Sequence, residues 1–102
     1  MPFSKLTDEQ ILAILGEQPR IESIPGVMLF WVDLIGPQRD EAALVVHFDA
    51  RFRKGIRQLP VSIADVPVIV RSEDRKTGRV IETIDPRHHG GRWPEFNCPP
   101  NA

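Results

Sequence analysis

The chain has 102 residues, the size of one domain with one hydrophobic core. Its 41% hydrophobic and 26% charged residues exclude an intrinsically disordered chain. Thirteen Lys and Arg residues against fourteen Asp and Glu residues give a formal net charge of -1. This balance excludes a surface built as a whole for nucleic acid or for an anionic membrane.

The cytoplasm is the expected compartment. Cys98 is the single cysteine, so no internal disulfide forms and nothing indicates an oxidising environment. Residues 1–10 lack the basic segment and the apolar run of a secretory signal. The longest apolar run, residues 26–32, is far shorter than the roughly 20 residues that span a bilayer, so we expect no membrane partner.

The first predicted element is a short helix within residues 4–18. Thr7 is a suitable N-cap, and Gln10 three residues later can return the hydrogen bond in a capping box. Apolar residues recur on one face of this segment, and Gly16 is the expected stop. The other predicted elements are strands at residues 27–35, 42–49, 66–72 and 79–84, and a second short helix within residues 50–59 that ends before Pro60.

The end of the chain is predicted to be an extended tail. Residues 86–102 contain four prolines and a glycine pair, Gly90 and Gly91, which exclude regular structure. The chain therefore divides into one α+β domain, residues 1–85, and a Pro- and Gly-rich tail, residues 86–102. The order α-β-β-α-β-β predicts a small four-stranded, mainly antiparallel sheet with helices on one face.

The first hairpin has a register that its apolar residues predict. Side chains on paired strands share a face, so even-numbered residues should pair with even-numbered ones. The expected pairs are Leu34 with Ala42, Val32 with Leu44, Phe30 with Val46 and Met28 with Phe48. Because all of these side chains are apolar, this face is the predicted core face, which the helices cover.

The opposite face of the sheet is the predicted interface. A one-layer antiparallel sheet normally alternates apolar and polar residues, and the first strand does not. Large apolar side chains are expected on this face, with a histidine at their rim: Leu29, Trp31, Val45, Ile69, Ile81 and His47. A contiguous patch of this kind usually marks an interface. A second copy of the chain, another protein or the tail of the same chain could cover it.

Two aromatic residues of the tail, Trp93 and Phe96, are predicted anchors. Large rings in a Pro-rich segment favour aggregation if they stay exposed, so they are expected to insert into a groove. Gly90 and Gly91 form the expected hinge between the last strand and this arm. The arm is predicted to dock on the domain, on a second copy or on a partner.

Four short motifs stand in the middle of the chain. They are Ile-Pro-Gly-Val at residues 24–27, a strand at 44–49 that ends in an acidic residue, Leu-Pro at 59–60, and Val-Pro-Val at 66–68. Together they resemble a small bacterial α/β module found near the N-terminus of some trypsin-like peptidase proteins. The resemblance implies an antiparallel sheet with a helix and no catalytic residues. No Gly-x-Ser-x-Gly nucleophile motif is present in the sequence.

Metal binding is the first chemistry that the histidines suggest. His88, His89 and Cys98 could supply three zinc ligands, and Asp85 or Glu95 could supply a fourth. Neighbouring side chains of an extended segment point in opposite directions, so the adjacent histidines cannot easily share one ion. We therefore expect two solvated histidines, no metal site and no cofactor.

His47 suggests a different chemistry. It is expected to lie diagonally across the first hairpin from Asp33, and a nearby carboxylate would make it a general base. Catalysis also needs a nucleophile or a bound water in a pocket, and the sequence indicates neither. The alternative interpretation is a histidine at the rim of an interface, hydrogen-bonded across the sheet.

A basic cluster suggests contact with nucleic acid. Arg51, Arg53, Lys54 and Arg57 crowd the second predicted helix, and basic side chains beside an aromatic ring can bind phosphates and stack on bases. Acidic residues such as Asp49 are interleaved with them and weaken any field of one sign. The more usual meaning of such a run is a solvated helix face.

The sequence thus favours a non-enzymatic protein interaction module, either a homodimer or a small subunit of a larger assembly. A nucleic-acid-binding adaptor that uses the arginine-rich helix is the first alternative. A small enzyme built around Asp33 and His47 is the second.

Overall fold

The computed structural model describes residues 2–96, and a five-stranded mixed sheet forms its centre. The strands are β1 (Val27–Ile35), β2 (Glu41–Asp49), β3 (Ser62–Ile63), β4 (Val66–Glu73) and β5 (Val80–Ile84). One α-helix, α1, spans Asp8–Glu22, and 3-10 helices span Pro2–Lys5, Ala50–Gln58 and Pro86–His89. Residues 97–102, which include Cys98 and the end of the predicted tail, lie outside the described residues.

A search of the described residues for a helix that is long and apolar enough to cross a membrane found none.

The sheet is mixed because its two central strands, β2 and β4, run parallel. β1 pairs antiparallel with β2, and both β3 and β5 pair antiparallel with β4. The α+β class is confirmed, but the expected mainly antiparallel four-stranded sheet is wrong in its centre. Parallel neighbours need a long crossover, and the connection from Ala50 to Asp65, with its 3-10 helix, provides it.

The helix α1 is longer than its sequence pattern predicts. It begins as expected, since Thr7 and Gln10 form a capping box with both hydrogen bonds present. It then continues through Gly16 and Pro19 to Glu22, so the expected stop at Gly16 is wrong. The burial of Ile21 explains the extra turns, because that side chain is fully enclosed in the core and anchors the end of the helix.

The register of the first hairpin is confirmed at three of its four expected pairs. Leu34 lies opposite Ala42, Val32 opposite Leu44, and Phe30 opposite Val46. The fourth pair is wrong, because a bulge between Val27 and Leu29 places Val27 opposite Phe48 and leaves Met28 partly exposed. The extra residue of a bulge shifts the pairing locally without changing which face the later residues occupy.

One hydrophobic core lies on the face of the sheet that carries the even-numbered residues of β2 and β4. On the side away from the sheet, this core contains Ile14 and Ile21 of α1 and Ile56 of the 3-10 helix Ala50–Gln58. The sheet contributes Leu44, Val46, Phe48, Val68, Val70 and Ile84, among others. Both helical elements therefore lie on one face of the sheet, as the sequence predicts, and the other face carries neither of them.

The tail folds back onto its own domain. Trp93 and Phe96 are both buried in the core cluster, and the Trp93 indole Nε1 donates a hydrogen bond of 2.8 Å to the Leu59 carbonyl oxygen. Before them, Asp85 caps the 3-10 helix Pro86–His89, which ends at Gly90 in the left-handed conformation. The prediction that no regular structure follows Asp85 is therefore wrong for this single turn.

The docking site of the tail corrects one further expectation. Trp93 and Phe96 belong to the core and not to the apolar face on the other side of the sheet, so they are no part of that predicted interface. The reason is physical: a buried indole needs a partner for its N–H, and the carbonyl of Leu59, at the C-terminal end of the 3-10 helix Ala50–Gln58, accepts this hydrogen bond.

We expect Trp93→Ala to lower the free energy of unfolding by about 3–5 kcal/mol, because it removes a buried ring and leaves the Leu59 carbonyl unpaired. Urea unfolding measures this loss. His89→Ala is the matched control, since this exposed side chain in the same segment should change stability by less than about 0.5 kcal/mol. Equal stability of the two variants would contradict the docked tail.

A second expected result concerns Gly26, which has φ +104° at the entry to β1. A Cβ there would press on the Phe48 ring and lie 2.6 Å from Phe52 Cβ, so Gly26→Ala should destabilise the chain by roughly 2 kcal/mol or more. Gly16→Ala is the opposite case, with no atom within 4 Å of the added Cβ in the middle of α1. It should stabilise the chain by about 0.5–1 kcal/mol in the same measurement.

Candidate interaction surface

The outer face is the side of the sheet opposite the core, and it carries the odd-numbered residues of β1, β2 and β4. Its rim is exposed: Leu29 and Trp31 each keep 44% of their surface accessible, and Ile81 of β5 keeps 61%. Its floor is buried, because Val45 and Ile69 are paired side by side on the central strands. The sequence predicted this set of residues on one face, and the structure places all of them there.

The outer face is concave on one side. An open groove of about 770 Å³ has Val45 and Ile69 in its lining, together with the polar side chains of Arg71, Thr83 and His88. Arg71 lies opposite His47 in the parallel pairing and opposite Thr83 in the antiparallel pairing, so it projects from the middle of the face. Apolar floor and polar edge thus occur together, as in many protein-binding surfaces.

A buried polar pair, His47 and Glu73, links the central strands on the outer face. The Nδ1 atom of His47 is hydrogen-bonded to the Glu73 carboxylate, and both side chains are largely shielded from solvent. The parallel register places Asp49 opposite Glu73, so Glu73 reaches His47 diagonally across the two strands. The Trp31 ring packs on the imidazole with centroids 4.5 Å apart and an interplanar angle of 42°.

The other imidazole nitrogen of His47 has a special position. Nε2 is enclosed, and among residues 2–96 no side chain or backbone group bonds to it. The carboxylate on Nδ1 fixes the orientation of the imidazole ring, and with it the position of Nε2. It is reached only if the groups around it, including Trp31, move.

The partner of His47 is not the one that the sequence suggested. Leu29 lies opposite His47, and Asp33 lies opposite Ala43, four pairs further along the strand. The Asp33 carboxylate instead accepts a hydrogen bond of 2.8 Å from the backbone N–H of Leu34, and the Arg39 guanidinium lies 3.9 Å away. The Leu34 N–H lowers the pKa of Asp33, and Arg39 adds to this effect. The expected proximity of Asp33 to His47 is therefore wrong.

Glu73 was not singled out from the sequence. The predicted third strand ends one residue earlier, at Ser72, whereas β4 includes Glu73. The contact of Glu73 with His47 exists only because β4 lies parallel to β2. A mid-strand histidine on a face that is buried would be a usable signal, since a buried imidazole needs a partner. The sequence alone does not say which carboxylate provides it.

The basic cluster on the crossover is partly neutralised by nearby carboxylates. Arg51 donates two hydrogen bonds to the buried Asp49 carboxylate, which lowers the pKa of Asp49. Arg53 lies 2.7 Å from a Glu82 carboxylate oxygen and 4.8 Å from the centroid of the Phe96 ring. Lys54 and Arg57, the other two members of the cluster, lie on the exposed side of the 3-10 helix Ala50–Gln58.

The adjacent histidines of the tail are exposed. His88 Nε2 lies 4.0 Å from an Asp85 carboxylate oxygen, while that carboxylate is already bound by the guanidinium of Arg87. Arg87 lowers the pKa of Asp85, and it also contacts Glu41 on β2. Within residues 2–96, no group of three His, Cys, Asp or Glu side chains is arranged to hold a metal ion. Cys98 lies outside these residues.

A mixed cleft of about 630 Å³ lies at the end of the sheet, where α1 begins. Residues of both charges line it, including Lys5, Asp40, Asp65 and Arg87. Arg87 is engaged by Asp85 and Glu41, so its charge is compensated within the chain. The sequence gave no sign of this cleft, since its residues come from segments far apart along the chain.

Comparisons with protein-family models, with curated proteins and with solved structures found no match to this chain. The resemblance to the peptidase-associated module therefore stays a prediction.

The buried pair gives a direct thermodynamic prediction. In a double-mutant cycle, His47→Ala and Glu73→Ala should couple by about 0.5–3 kcal/mol, because each removes the partner of the other. The matched cycle combines His47→Ala with Asp33→Ala and should couple by less than about 0.5 kcal/mol, since these side chains share no contact. Urea unfolding of the six chains measures both values. The reverse order would show that Asp33 is the partner of His47.

Proposed function

We propose that this chain is a non-enzymatic protein interaction module whose outer face binds another protein chain. One observation carries the proposal: Leu29, Trp31 and Ile81 are exposed on one face of a sheet whose other face already has a complete core. Exposed apolar clusters of this kind usually mark protein contacts, because burying them releases water from apolar surface.

The chemistry of the outer face supports a protein as the bound molecule. An aromatic side chain, Trp31, stands among aliphatic ones, and tryptophan is among the residues most often found at energetic centres of interfaces. Arg71 and Thr83 supply polar groups beside the apolar floor of the groove. Fully burying one large apolar side chain contributes roughly 1.5–3 kcal/mol, so a few such residues suffice for a specific contact.

Among its described residues, the tail contributes Arg87 and His88 to the edge of the groove on this face, but its two aromatic anchors lie elsewhere. Trp93 and Phe96, the only large aromatic rings after β5 in the sequence, are packed in the core on the other side of the sheet. Of the three occupants that the sequence suggested, a second copy and a different protein agree best with this arrangement.

The two alternative functions have less support. The adaptor that binds nucleic acid would rely on the arginine-rich segment, where Arg51 and Arg53 already face carboxylates of the same chain. The small enzyme would rely on His47, whose free nitrogen is enclosed and whose carboxylate partner is Glu73, not Asp33. Both observations favour an interaction module.

The test replaces apolar residues at opposite edges of the outer face. Trp31→Glu and Ile81→Glu should each abolish binding of protein partners by the full chain, because a carboxylate would be desolvated at the contact. Affinity capture followed by crosslinking mass spectrometry compares the partners and the crosslinked residues. Circular dichroism should show that both variants stay folded, since both side chains are exposed.

The matched control is Leu12→Glu on α1, where the leucine is 68% exposed and lies off the outer face. This variant should keep the partners of the unchanged chain, with crosslinks at the outer face. An identical set of partners and crosslinks in all four proteins would refute the proposal.

A further inference from the structure

The strand β1 forms one edge of the sheet. It pairs with β2 on one side, and over the described residues no strand lies on its other side. A free edge presents a row of unpaired backbone N–H and C=O groups, which natural proteins usually cover or protect. The apolar sequence of β1 contains one charged residue, Asp33, and no proline.

The outward-pointing backbone groups can be assigned from one hydrogen bond. The backbone N–H of Leu34 donates to the Asp33 carboxylate, so it is directed away from β2. In an antiparallel pair the residues alternate between those that bond the neighbour and those that point away. The N–H and C=O groups of Phe30 and Val32 therefore point to the free edge, together with those of Leu34.

Both ends of the edge are closed to regular pairing. At one end the bulge between Val27 and Leu29 interrupts the strand. At the other end Asp33 occupies the Leu34 N–H, and Arg39 lies beside the Asp33 carboxylate. The open stretch is residues 29–33, and its outward amides belong to Phe30 and Val32.

The 3-10 helix Pro2–Lys5 and α1 both contact β1, but side chains in the middle of the open stretch stay exposed, as Leu29 and Trp31 show. Trp31 tilts inward over His47, away from the free edge of its own strand. The helix α1 does not close the edge either, since a groove of about 370 Å³ remains between Gln18 and Glu22 of α1 and residues 27–30.

The open stretch is symmetric about Trp31, and this symmetry selects its partner. An antiparallel copy centred on Trp31 places Phe30 of one chain opposite Val32 of the other, and the reverse, so both pairs of outward amides are satisfied. The bulge of each copy then faces the blocked Leu34 amide of the other. The bulge and the Leu34 amide are the two positions that cannot form regular backbone pairs. In this dimer they lie opposite each other, as expected for a contact in which both copies use the same surface.

We propose that two copies of this chain pair antiparallel through their β1 edges, with the two-fold axis at Trp31, to form one continuous sheet. The pairing goes beyond the proposed function, because it uses the backbone edge and leaves the outer face free. It joins the two outer faces into one surface of twice the area, which a protein partner can then bind.

The first test is a disulfide trap in a Cys98→Ser background. Trp31 lies at a pair without backbone hydrogen bonds, where Cα atoms are about 4.5 Å apart, within the range that a disulfide spans. Trp31→Cys should give a covalent dimer under mild oxidation. Ile81→Cys, on the opposite edge strand of the same face, should stay monomeric. Rapid crosslinking of Ile81→Cys without crosslinking of Trp31→Cys would overturn the proposal.

The second test uses light scattering after size-exclusion chromatography of the full chain. At about 100 μM, the unchanged chain should have the molar mass of a dimer, because pairing of the two edges satisfies the outward amides of Phe30 and Val32. Val32→Pro removes one outward amide without touching a hydrogen bond to β2, and it should lose the dimer while circular dichroism shows a folded chain. A dimer that survives Val32→Pro, or an unchanged chain that is monomeric throughout, would also overturn the proposal.

A third variant separates this proposal from the proposed function. Ile81→Glu alters the outer face and should leave the dimer intact while it removes binding of other proteins. Loss of the dimer in Ile81→Glu with retention in Val32→Pro would show that the copies meet through the outer faces instead. If Val32→Pro does not fold, the disulfide trap decides the outcome by itself.

Discussion

The parallel pairing of β2 with β4 is the contact on which the rest of the structure depends. It places both strands in the middle of the sheet, where β2 is buried along almost its full length. One face of this pair carries the aliphatic floor of the core, and the other carries the His47–Glu73 link. Since the crossover must return over one face to make the strands parallel, its 3-10 helix lies on that face, where α1 also packs on the core.

This arrangement explains why the outer face is apolar without being covered. Strands buried on both sides read as continuous hydrophobic runs, and β2 and β4 have that character. The helix α1 and the 3-10 helix Ala50–Gln58 cover only one face of the sheet, and on the other face the Trp31 ring packs on His47. The outer face therefore keeps apolar side chains exposed, and the proposed contact with a further chain rests on them.

The tail completes the hydrophobic core, and its amino-acid composition predicts only part of this role. Ordering each residue of an arm costs about 1–2 kcal/mol of backbone entropy, so two rings would not hold a long extended segment. Three further interactions help to offset this loss of entropy. They are the 3-10 helix Pro86–His89, the contact of Arg87 with Glu41, and the hydrogen bond from Trp93 to Leu59. The aromatic residues thus complete the core near the end of the crossover.

The sequence by itself determined the features that depend on local physics. The capping box at Thr7, the limits of β1, the pairing of Val32 with Leu44 and the two-faced character of the sheet all follow from neighbours along the chain or from one short hairpin. Only the tertiary structure decided that β4 lies beside β2, that Glu73 and not Asp33 contacts His47, and that Trp93 enters the core. These contacts join segments separated by a crossover, and their free energy depends on side chains that meet only after the chain has folded.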